Sequence, residues 1–162
     1  MNKLTWQQFV KNVQHWAAER GIYEHSTATA QLLKALSELG EVADAVIKND
    51  REALADSIGD VAVCLVNYMK MSDQHDLFHD VTGITFNQLP TSRLIGIASR
   101  FIGEALEEVD DKYFSKAMIF SLKAICQQEN LDFMTCCTGA WEEIKDRKGR
   151  VVAGGAFVKD SE

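Results

Sequence analysis

The scarcity of proline is the feature that most restricts what this chain can fold into. Its 162 residues contain one proline, Pro90, and almost no stretch in which apolar and polar residues alternate as they do in a half-buried strand. Apolar residues instead recur every three to four positions, the period of a helix with one buried face. A hydrophobic content of 46% is enough to bury a core. The sequence therefore predicts an all-α helical bundle of about five to six helices with a four-helix core.

Short polar turns separate the helical segments. Ser26 or Thr27 caps the second segment, a tight turn at 49–50 leads into the third, and Ser92 caps the fourth. Residues 73–91 are the least regular and mark the boundary between two halves of a single domain, 1–162. The first half, 1–72, carries the candidate metal ligands, the second helical half is 92–148, and the tail, 149–162, is a small hairpin or an extended segment. The expected helices span approximately residues 5–20, 27–48, 51–71, 92–109, 113–129 and 132–148.

The two halves resemble each other weakly. LGEVADAV at 39–46 aligns with IGEALEEV at 102–109, a shift of 63 residues, and each is followed by an acidic turn and a mostly apolar helix. One explanation is a degenerate internal repeat, in which two copies of a helix pair complete a four-helix bundle. The other is that any two amphipathic helices share this degree of similarity.

Carboxylates interrupt the apolar faces of the second and third segments. Glu38 and Glu41 are three residues apart, and Asp56 and Asp60 are four apart, so that each pair shares a helix face. An antiparallel hairpin with its turn at 49–50 places Glu41 level with Asp60. The sequence therefore predicts that these acidic side chains converge between the two helices.

The apolar surroundings of these acids indicate partial burial, where neighbouring carboxylates repel one another and lose hydration. A divalent cation removes that repulsion, and carboxylates without His or Cys suit a hard ion, Mg²⁺ first and Mn²⁺ as a substitute. A di-iron bundle would need a Glu-x-x-His pair, which the sequence lacks. The alternative is that the acids lie on a solvated face and bind nothing.

At these residues the chain resembles a known family, the MazG-like all-α nucleoside triphosphate pyrophosphohydrolases, whose superfamily includes the dimeric dUTPases. SELGE supplies Glu38 and Glu41, and SIGD supplies Asp60. Ser37 and Ser57 stand where the family signature has glutamates. HWAAERGI at 15–22 is similar to the family's opening helix, and AWEEIKDRKGRVVAGGAFVKD at 140–160 is similar to the C-terminal segment of phage and bacterial members.

The resemblance implies Mg²⁺-dependent hydrolysis of a nucleoside triphosphate, with a dNTP expected, to the monophosphate and pyrophosphate. It implies catalytic roles for Glu38, Glu41 and Asp60, which also bind the metal, with Asp56 as the candidate for the missing fourth ligand. It further implies a homodimer, because single-copy members pair to build their site, whereas an internal repeat would make a monomer sufficient.

Cationic and aromatic residues are candidates for substrate binding, and each has a structural alternative. The basic group near the end of the sixth segment binds phosphate or complements the helix dipole. Lys34 contacts the same phosphates or pairs with Glu38, and Trp16 stacks on a base or packs in the core. His75 and His79 form a weaker candidate metal pair. The basic group consists of Lys145, Arg147 and Lys148.

Charge and hydropathy limit the remaining partners. The net charge of −7 argues against a general nucleic-acid or anionic-membrane binder. No apolar run approaches the roughly 18 residues of a membrane span, and MNKLTWQQFV lacks a signal-peptide core, so we expect a cytoplasmic protein. The spacing of the four cysteines favours buried thiols over disulfides or zinc ligands.

Two function classes compete with the enzyme. One is a catalytically impaired helical module of the same fold that binds nucleotide or regulates a partner, which Ser37, Ser57 and Glu142 favour, since Glu142 stands where relatives usually have Asn. The other is a structural bundle whose acids only solvate the surface, and it predicts no change in melting temperature with Mg²⁺ and nucleotide.

Overall fold

Helices dominate the architecture, which confirms the predicted all-α class. The computed structural model describes residues 2–73, 89–107 and 114–160. Seven helices and one β-hairpin occur in these residues. They are α1 (Trp6–Glu19), α2 (Ile22–His25), α3 (Ala28–Lys48), α4 (Arg51–Met71), α5 (Thr91–Leu106), α6 (Phe114–Gln128), α7 (Phe133–Ile144), β1 (Gly149–Val151) and β2 (Phe157–Lys159).

Local capping explains where α3 and α4 begin and end. The Thr27 side chain accepts a hydrogen bond from the Ala30 backbone N–H, so Thr27 rather than Ser26 caps α3. Asn49 ends α3 in the left-handed conformation, with φ of 54°, and Asp50 caps α4 by accepting from the Ala53 N–H. The turn at 49–50 is therefore confirmed, with a C-cap and an N-cap on consecutive residues.

Two predicted boundaries were wrong. Helix α5 begins at Thr91 after an N-cap position held by Pro90, so Ser92 lies inside the first turn and does not cap. Helix α7 ends at Ile144 rather than near 148. The Arg20 guanidinium donates to the backbone carbonyls of Lys145 and Arg147, at 3.2 and 2.8 Å. These bonds hold the chain after Ile144 against α1 in place of a further helical turn.

Two helix pairs, α3 with α4 and α5 with α6, form the core. Helix α4 is the central element: it packs on α3, α7 and α1, and it is buried almost continuously from Val61 to Met69. Helix α5 packs on α6 and on α3, so that the α5–α6 pair completes the bundle. Large fully buried side chains come from both pairs and from α1, and they include Phe9, Leu39, Ile58, Leu65, Met69, Leu94, Ile102, Met118, Leu122 and Ile125.

The tail forms a β-hairpin, one of the two predicted alternatives. Strands β1 and β2 pair antiparallel, with Arg150 opposite Val158. Gly155 adopts φ of 80° in the connecting turn, a conformation that side chains disfavour. Its carbonyl accepts a hydrogen bond from the Ser26 hydroxyl at 2.6 Å, which fixes the turn against the start of α3.

Several further expectations concern single features. All four cysteines are free and buried, which confirms buried thiols over disulfides. No helix in the described part of the chain combines the length and apolar character needed to cross a bilayer. His75, His79 and the predicted turn at 110–111 lie outside the described residues.

Candidate functional site

A cavity of about 230 Å³ opens between α1, α3, α4, the end of α7 and the β-hairpin. We call it the acidic cavity, because carboxylates from α3 and α4 lie in its wall. Its lining includes the carboxylates Glu38 and Asp60, the cations Lys34, Arg147 and Lys159, the amides Gln31 and Asn67, and the apolar or aromatic side chains of Trp16, Ile22, Val63, Ile144 and Phe157.

Glu38 lies on the inward face of α3, and only 5% of its surface is exposed. It shares that face with Ala35 and Val42, at the spacing of successive helical turns. The Lys34 ammonium, one turn earlier, forms an ion pair with the Glu38 carboxylate. Partial burial is the largest single influence and opposes the charged state of Lys34, but the hydrogen bond to Glu38 and the surrounding negative charges, Glu38 foremost, together outweigh it and raise the Lys34 pKa. A buried carboxylate and a half-exposed ammonium thus meet at the cavity wall.

Asp60 faces Glu38 from α4. Burial raises the pKa of its carboxyl group to about 7, and the negative charges of Glu38, Asp56 and Glu143 add to the effect, while Arg147 opposes it. A carboxyl group with this pKa is partly protonated near neutrality. The site therefore carries a repulsion that is relieved by a proton or by a cation.

Asp56 lies one turn earlier on α4 and meets a carboxylate from α7. Its pKa is raised by desolvation first and then by the nearby negative charge of Glu143. Arg147 pairs with Glu143 on the opposite side. Glu143 thus joins Glu38, Asp56 and Asp60 in one electrostatically coupled group.

The donor set suits a hard cation in its chemistry, because all the groups are carboxylates and their negative charges lie close together. The present arrangement is not a preformed metal cage. Within residues 2–73, 89–107 and 114–160, no three or more Asp, Glu, His or Cys side chains are grouped so that they can hold a metal ion. Glu38 is bonded to Lys34, and Glu143 to Arg147, so a cation would have to replace these partners.

Glu41 and Ser57 differ from what the family signature suggests. Glu41 is exposed on α3 and does not line the acidic cavity, since a three-residue step rotates it about 60° away from Glu38. Ser57 is buried, and its hydroxyl donates to the Ala53 carbonyl of its own helix at 2.8 Å. Of the two α4 candidates for the missing ligand, Asp56 is therefore the one that interacts with the other acids.

The predicted cationic residues separate into two groups. Lys34 and Arg147 line the acidic cavity, whereas Lys145 pairs with Glu142 on the α7 surface. Lys148 borders a shallow second cavity with Arg20 and Asp160. The early end of α7 causes this separation, because residues after Ile144 no longer follow the helical spacing on which their grouping was predicted.

Trp16 lines the cavity and also packs in the core. Its side chain is 5% exposed and lies edge-on to Phe157, with ring centroids 5.3 Å apart. The Arg20 guanidinium lies over its ring at 5.1 Å. The indole therefore connects α1 to the C-terminal hairpin while it forms part of the cavity wall.

Four lining or neighbouring residues were not among the predicted site residues. Glu143 and Lys159 lie far along the chain from the α3–α4 acids, and no local pattern links them to that region. Gln31 and Asn67 did leave a signal, because each is a polar residue at an inward position of an amphipathic or apolar helix. A polar residue at an inward position of an apolar helix can therefore be recognised in the sequence as a candidate site residue.

Comparison with known proteins gives one local match. Over 66 residues the chain is 39% identical to an uncharacterized 18.2 kDa protein in the rep–hol intergenic region of Haemophilus phage HP1, a match that covers 41% of this chain. The chain thus matches about two fifths of the length of that phage protein, 40%. No family model and no solved structure matches.

Proposed function

We propose that this chain is a nucleoside triphosphate pyrophosphohydrolase of the MazG-like type, which hydrolyses a dNTP to the monophosphate and pyrophosphate. The observation that carries the proposal is the joint lining of one cavity by carboxylates and by cations. Glu38 and Asp60 line the same cavity as Lys34, Arg147 and Lys159. A triphosphate with its divalent cation needs both kinds of group within a short distance.

The carboxylates supply the metal-binding half of this chemistry. Glu38, Asp56, Asp60 and Glu143 would hold Mg²⁺ or Mn²⁺, which when bound offsets the charge on the phosphate oxygens. Glu41 is exposed on the adjacent face of α3, so its role as a metal ligand stays a prediction from the sequence.

The cations supply the phosphate-binding half. Lys34 and Arg147 are each bonded to a carboxylate, and a polyphosphate competes for the same donors. Arg147 offers a planar fork suited to two phosphate oxygens, whereas Lys34 acts as a point charge. Substrate binding would thus free Glu38 and Glu143 at the moment when a cation arrives with the phosphates.

Pyrophosphate release from each of the four dNTPs, with Mg²⁺ and with EDTA, tests the proposal. Asp60→Asn and Glu38→Gln should each lower kcat/KM at least 100-fold, because each removes a charge that the cation needs. Glu104→Gln in α5 is the matched control and should retain activity within about twofold, since Glu104 pairs with Arg100 on the surface. Equal activity of Asp60→Asn and the wild type, or release that is unaffected by EDTA, would contradict the proposal.

A catalytically impaired nucleotide-binding module is the second candidate. It is favoured by Ser57, which is bonded to its own helix, and by the absence of a preformed metal cage among the described residues. This candidate predicts that dNTP and Mg²⁺ raise the melting temperature without releasing pyrophosphate. Release at a turnover well above that of Asp60→Asn excludes it.

The proposed homodimer would use the exposed face of α3. Leu33, Leu36 and Ile47 are 53, 41 and 82% exposed, and their spacing places them within about 60° of one another around the helix. Gly40 lies in the same stripe with open space beside it. Leu36→Glu should shift a dimer toward monomer in sedimentation velocity, and a wild-type monomer at all concentrations would exclude this part of the proposal.

A further inference from the structure

Asn67 is an unusual residue for its position. It lies on α4 between Val66 and Tyr68, inside a continuously buried stretch, and only 2% of its surface is exposed. A buried amide is costly unless its donors and acceptor find partners. Asn67 also lines the acidic cavity, so that a ligand in the cavity is within reach of any group that the protein leaves unpaired.

Tyr23 fixes the orientation of the Asn67 amide. The Tyr23 hydroxyl donates to Asn67 Oδ1 at 2.9 Å, and burial raises the Tyr23 pKa far above its usual range, which keeps the phenol protonated as a donor. The acceptor side of the amide is thereby occupied. The Tyr23 bond thus leaves Nδ2 as the donor side of an amide that lines the cavity. Its two N–H groups are the part presented to a ligand.

The Gln31 amide on α3 is oriented in the reverse way to that of Asn67, with its donor side bonded and its acceptor side left for a ligand. Its Nε2 donates to Ser26 Oγ at 3.0 Å, and Ser26 Oγ donates in turn to the Gly155 carbonyl at 2.6 Å. This chain of bonds uses the donor side of the Gln31 amide and leaves Oε1 as the acceptor. Gln31 is 7% exposed and lines the same cavity. The cavity therefore contains one oriented donor and one oriented acceptor.

The positions of the two amides along α3 and α4 indicate which part of a bound nucleotide they face. Gln31 lies seven residues before Glu38, and Asn67 lies seven residues after Asp60. Seven residues are two helical turns, about 10 Å, and return to the same helix face. Because α3 and α4 are antiparallel, both steps lead in the same direction. The amides are thus displaced together from the carboxylates, toward the side where a base lies when its phosphates are at the acids.

From this juxtaposition, and resting on the function proposed above, we propose that Asn67 and Gln31 read the hydrogen-bonding edge of the nucleobase. Asn67 Nδ2 donates to a ring nitrogen or carbonyl acceptor, and Gln31 Oε1 accepts from an adjacent N–H. Ile22, Val63 and Phe157 provide the apolar surroundings for the ring. Tyr23 is a positioning residue, since it acts only by holding the Asn67 amide in one orientation.

A substitution that changes amide polarity tests this assignment. Asn67→Asp keeps the shape of the side chain but replaces its donor group by an acceptor. For this variant, kcat/KM is measured with the four dNTPs and with 2-deoxyribose 5-triphosphate, which has no base. We expect Asn67→Asp to lower kcat/KM for the preferred dNTP at least 100-fold and to change the base-free substrate less than threefold. An equal loss on both substrates, or an unchanged base preference, would overturn the assignment.

Tyr23→Phe keeps Asn67 and removes only the bond that orients it. It should reduce the discrimination among bases about tenfold while the melting temperature stays within a few degrees, and it decides the question if Asn67→Asp does not fold. Asn12→Asp on α1 is the matched control, because it makes the same chemical change outside the cavity. An unchanged base preference in a folded Tyr23→Phe variant counts against the assignment.

Calorimetry with nucleoside monophosphates in EDTA separates this inference from the proposed hydrolysis. Binding by the wild type that is lost in Asn67→Asp supports base recognition even where no triphosphate releases pyrophosphate, in which case only the hydrolysis proposal fails. Pyrophosphate release together with monophosphate binding that is equal in wild type and Asn67→Asp would instead remove the base-reading role and leave the hydrolysis proposal standing.

Discussion

The α3–α4 and α5–α6 pairs have similar packing roles but bury different kinds of residue. The first pair buries Gln31, Glu38, Ser57 and Asn67, whereas the described part of the second pair buries only Ser115 and Ser121 among its polar residues. The Ser121 hydroxyl donates to the Ala117 carbonyl of its own helix at 2.9 Å. The described part of the α5–α6 pair thus packs without buried acids or amides. The buried acid and amides of α3 and α4 therefore need an explanation other than helix packing.

The aligned positions sharpen this comparison. At the shift of 63 residues suggested by the sequence, Glu38 corresponds to Phe101, which packs against the core. Glu41 corresponds to Glu104, which pairs with Arg100 on α5. The second pair has an apolar residue where the first pair has its buried carboxylate. A substitution at the buried carboxylate of the first pair should therefore affect function, whereas a substitution at the aligned position of the second pair should affect only stability.

The largest stability difference is expected between two glycines, one in each pair. A Cβ at Gly59 would lie 2.6 Å from the Cys136 carbonyl oxygen and 2.7 Å from Ala140 Cβ, whereas a Cβ at Gly103 meets nothing within 4 Å. Gly59→Ala should destabilise by at least about 2 kcal/mol, because α7 must move away, and should lower the melting temperature by about 5–10 °C.

Gly103→Ala is the control for Gly59→Ala. It should raise stability by up to about 1 kcal/mol through helix propensity alone. Thermal unfolding of both variants checks the pair of expectations, and a Gly59→Ala variant as stable as the wild type would mean that α4 and α7 are not in close contact.

A smaller effect is expected from the buried charge of Asp60. Because the folded-state pKa lies at about 7 rather than 3.8, the folded protein binds the proton more tightly than the unfolded chain, and stability falls as pH rises from about 4 to above 7. At about 1.36 kcal/mol per pH unit the upper limit is about 4 kcal/mol. Solvent screening of the partly exposed group reduces this to about 1–2 kcal/mol.

Asp60→Asn should therefore stabilise the protein in EDTA at pH 8, by about 2–8 °C in melting temperature, and should have little effect near pH 4. The same substitution is expected to abolish the proposed activity, so stability and function would change in opposite directions. A melting-temperature difference from the wild type that does not vary with pH would show that Asp60 is not the group responsible.

The smallest expected effect on stability concerns the N-cap residues of α3 and α5, the first helix of each pair. Thr27 caps α3 through its side chain, whereas Pro90 precedes α5 without a side-chain cap. Thr27→Ala should cost about 1 kcal/mol, and Thr27→Ser should restore most of it. Pro90→Ala should cost less than about 0.5 kcal/mol in denaturant unfolding, since no capping bond is lost. Equal losses at the two positions would contradict the role assigned to the Thr27 hydroxyl.

The sequence predicted the helices well where local physics decides them. The bounds of α4 followed from the apolar period and the turn at 49–50, and the start of α3 followed from the capping residues at 26–27. The errors lie where distant residues intervene. Nothing near Ile144 in the chain indicates that Arg20 will bind the carbonyls of Lys145 and Arg147, and the early end of α7 depends on those bonds.

The candidate site was predictable in part for the same reason. Glu38 and Asp60 share a wall of one cavity, as expected from a helical hairpin, and Lys34 pairs with Glu38. The level-matching of residues across the hairpin favoured Glu41 over Glu38 as the neighbour of Asp60, because it ignores the rotation of each helix about its own axis, whereas Glu38 is the residue that lines the cavity. Glu143 and Lys159 come from elements whose approach to α4 no local pattern encodes.

The sequence by itself thus determined that the chain is helical, where most of its helices begin and end, and that α3 and α4 carry acids on potentially inward faces. These properties depend on hydrogen bonds and side-chain spacing within a few residues. Only the tertiary structure decided which acids turn inward, which cations join them, and which way the Asn67 and Gln31 amides point. Those outcomes depend on how each helix rotates to bury its apolar face, and that rotation is set by contacts between residues far apart in the chain.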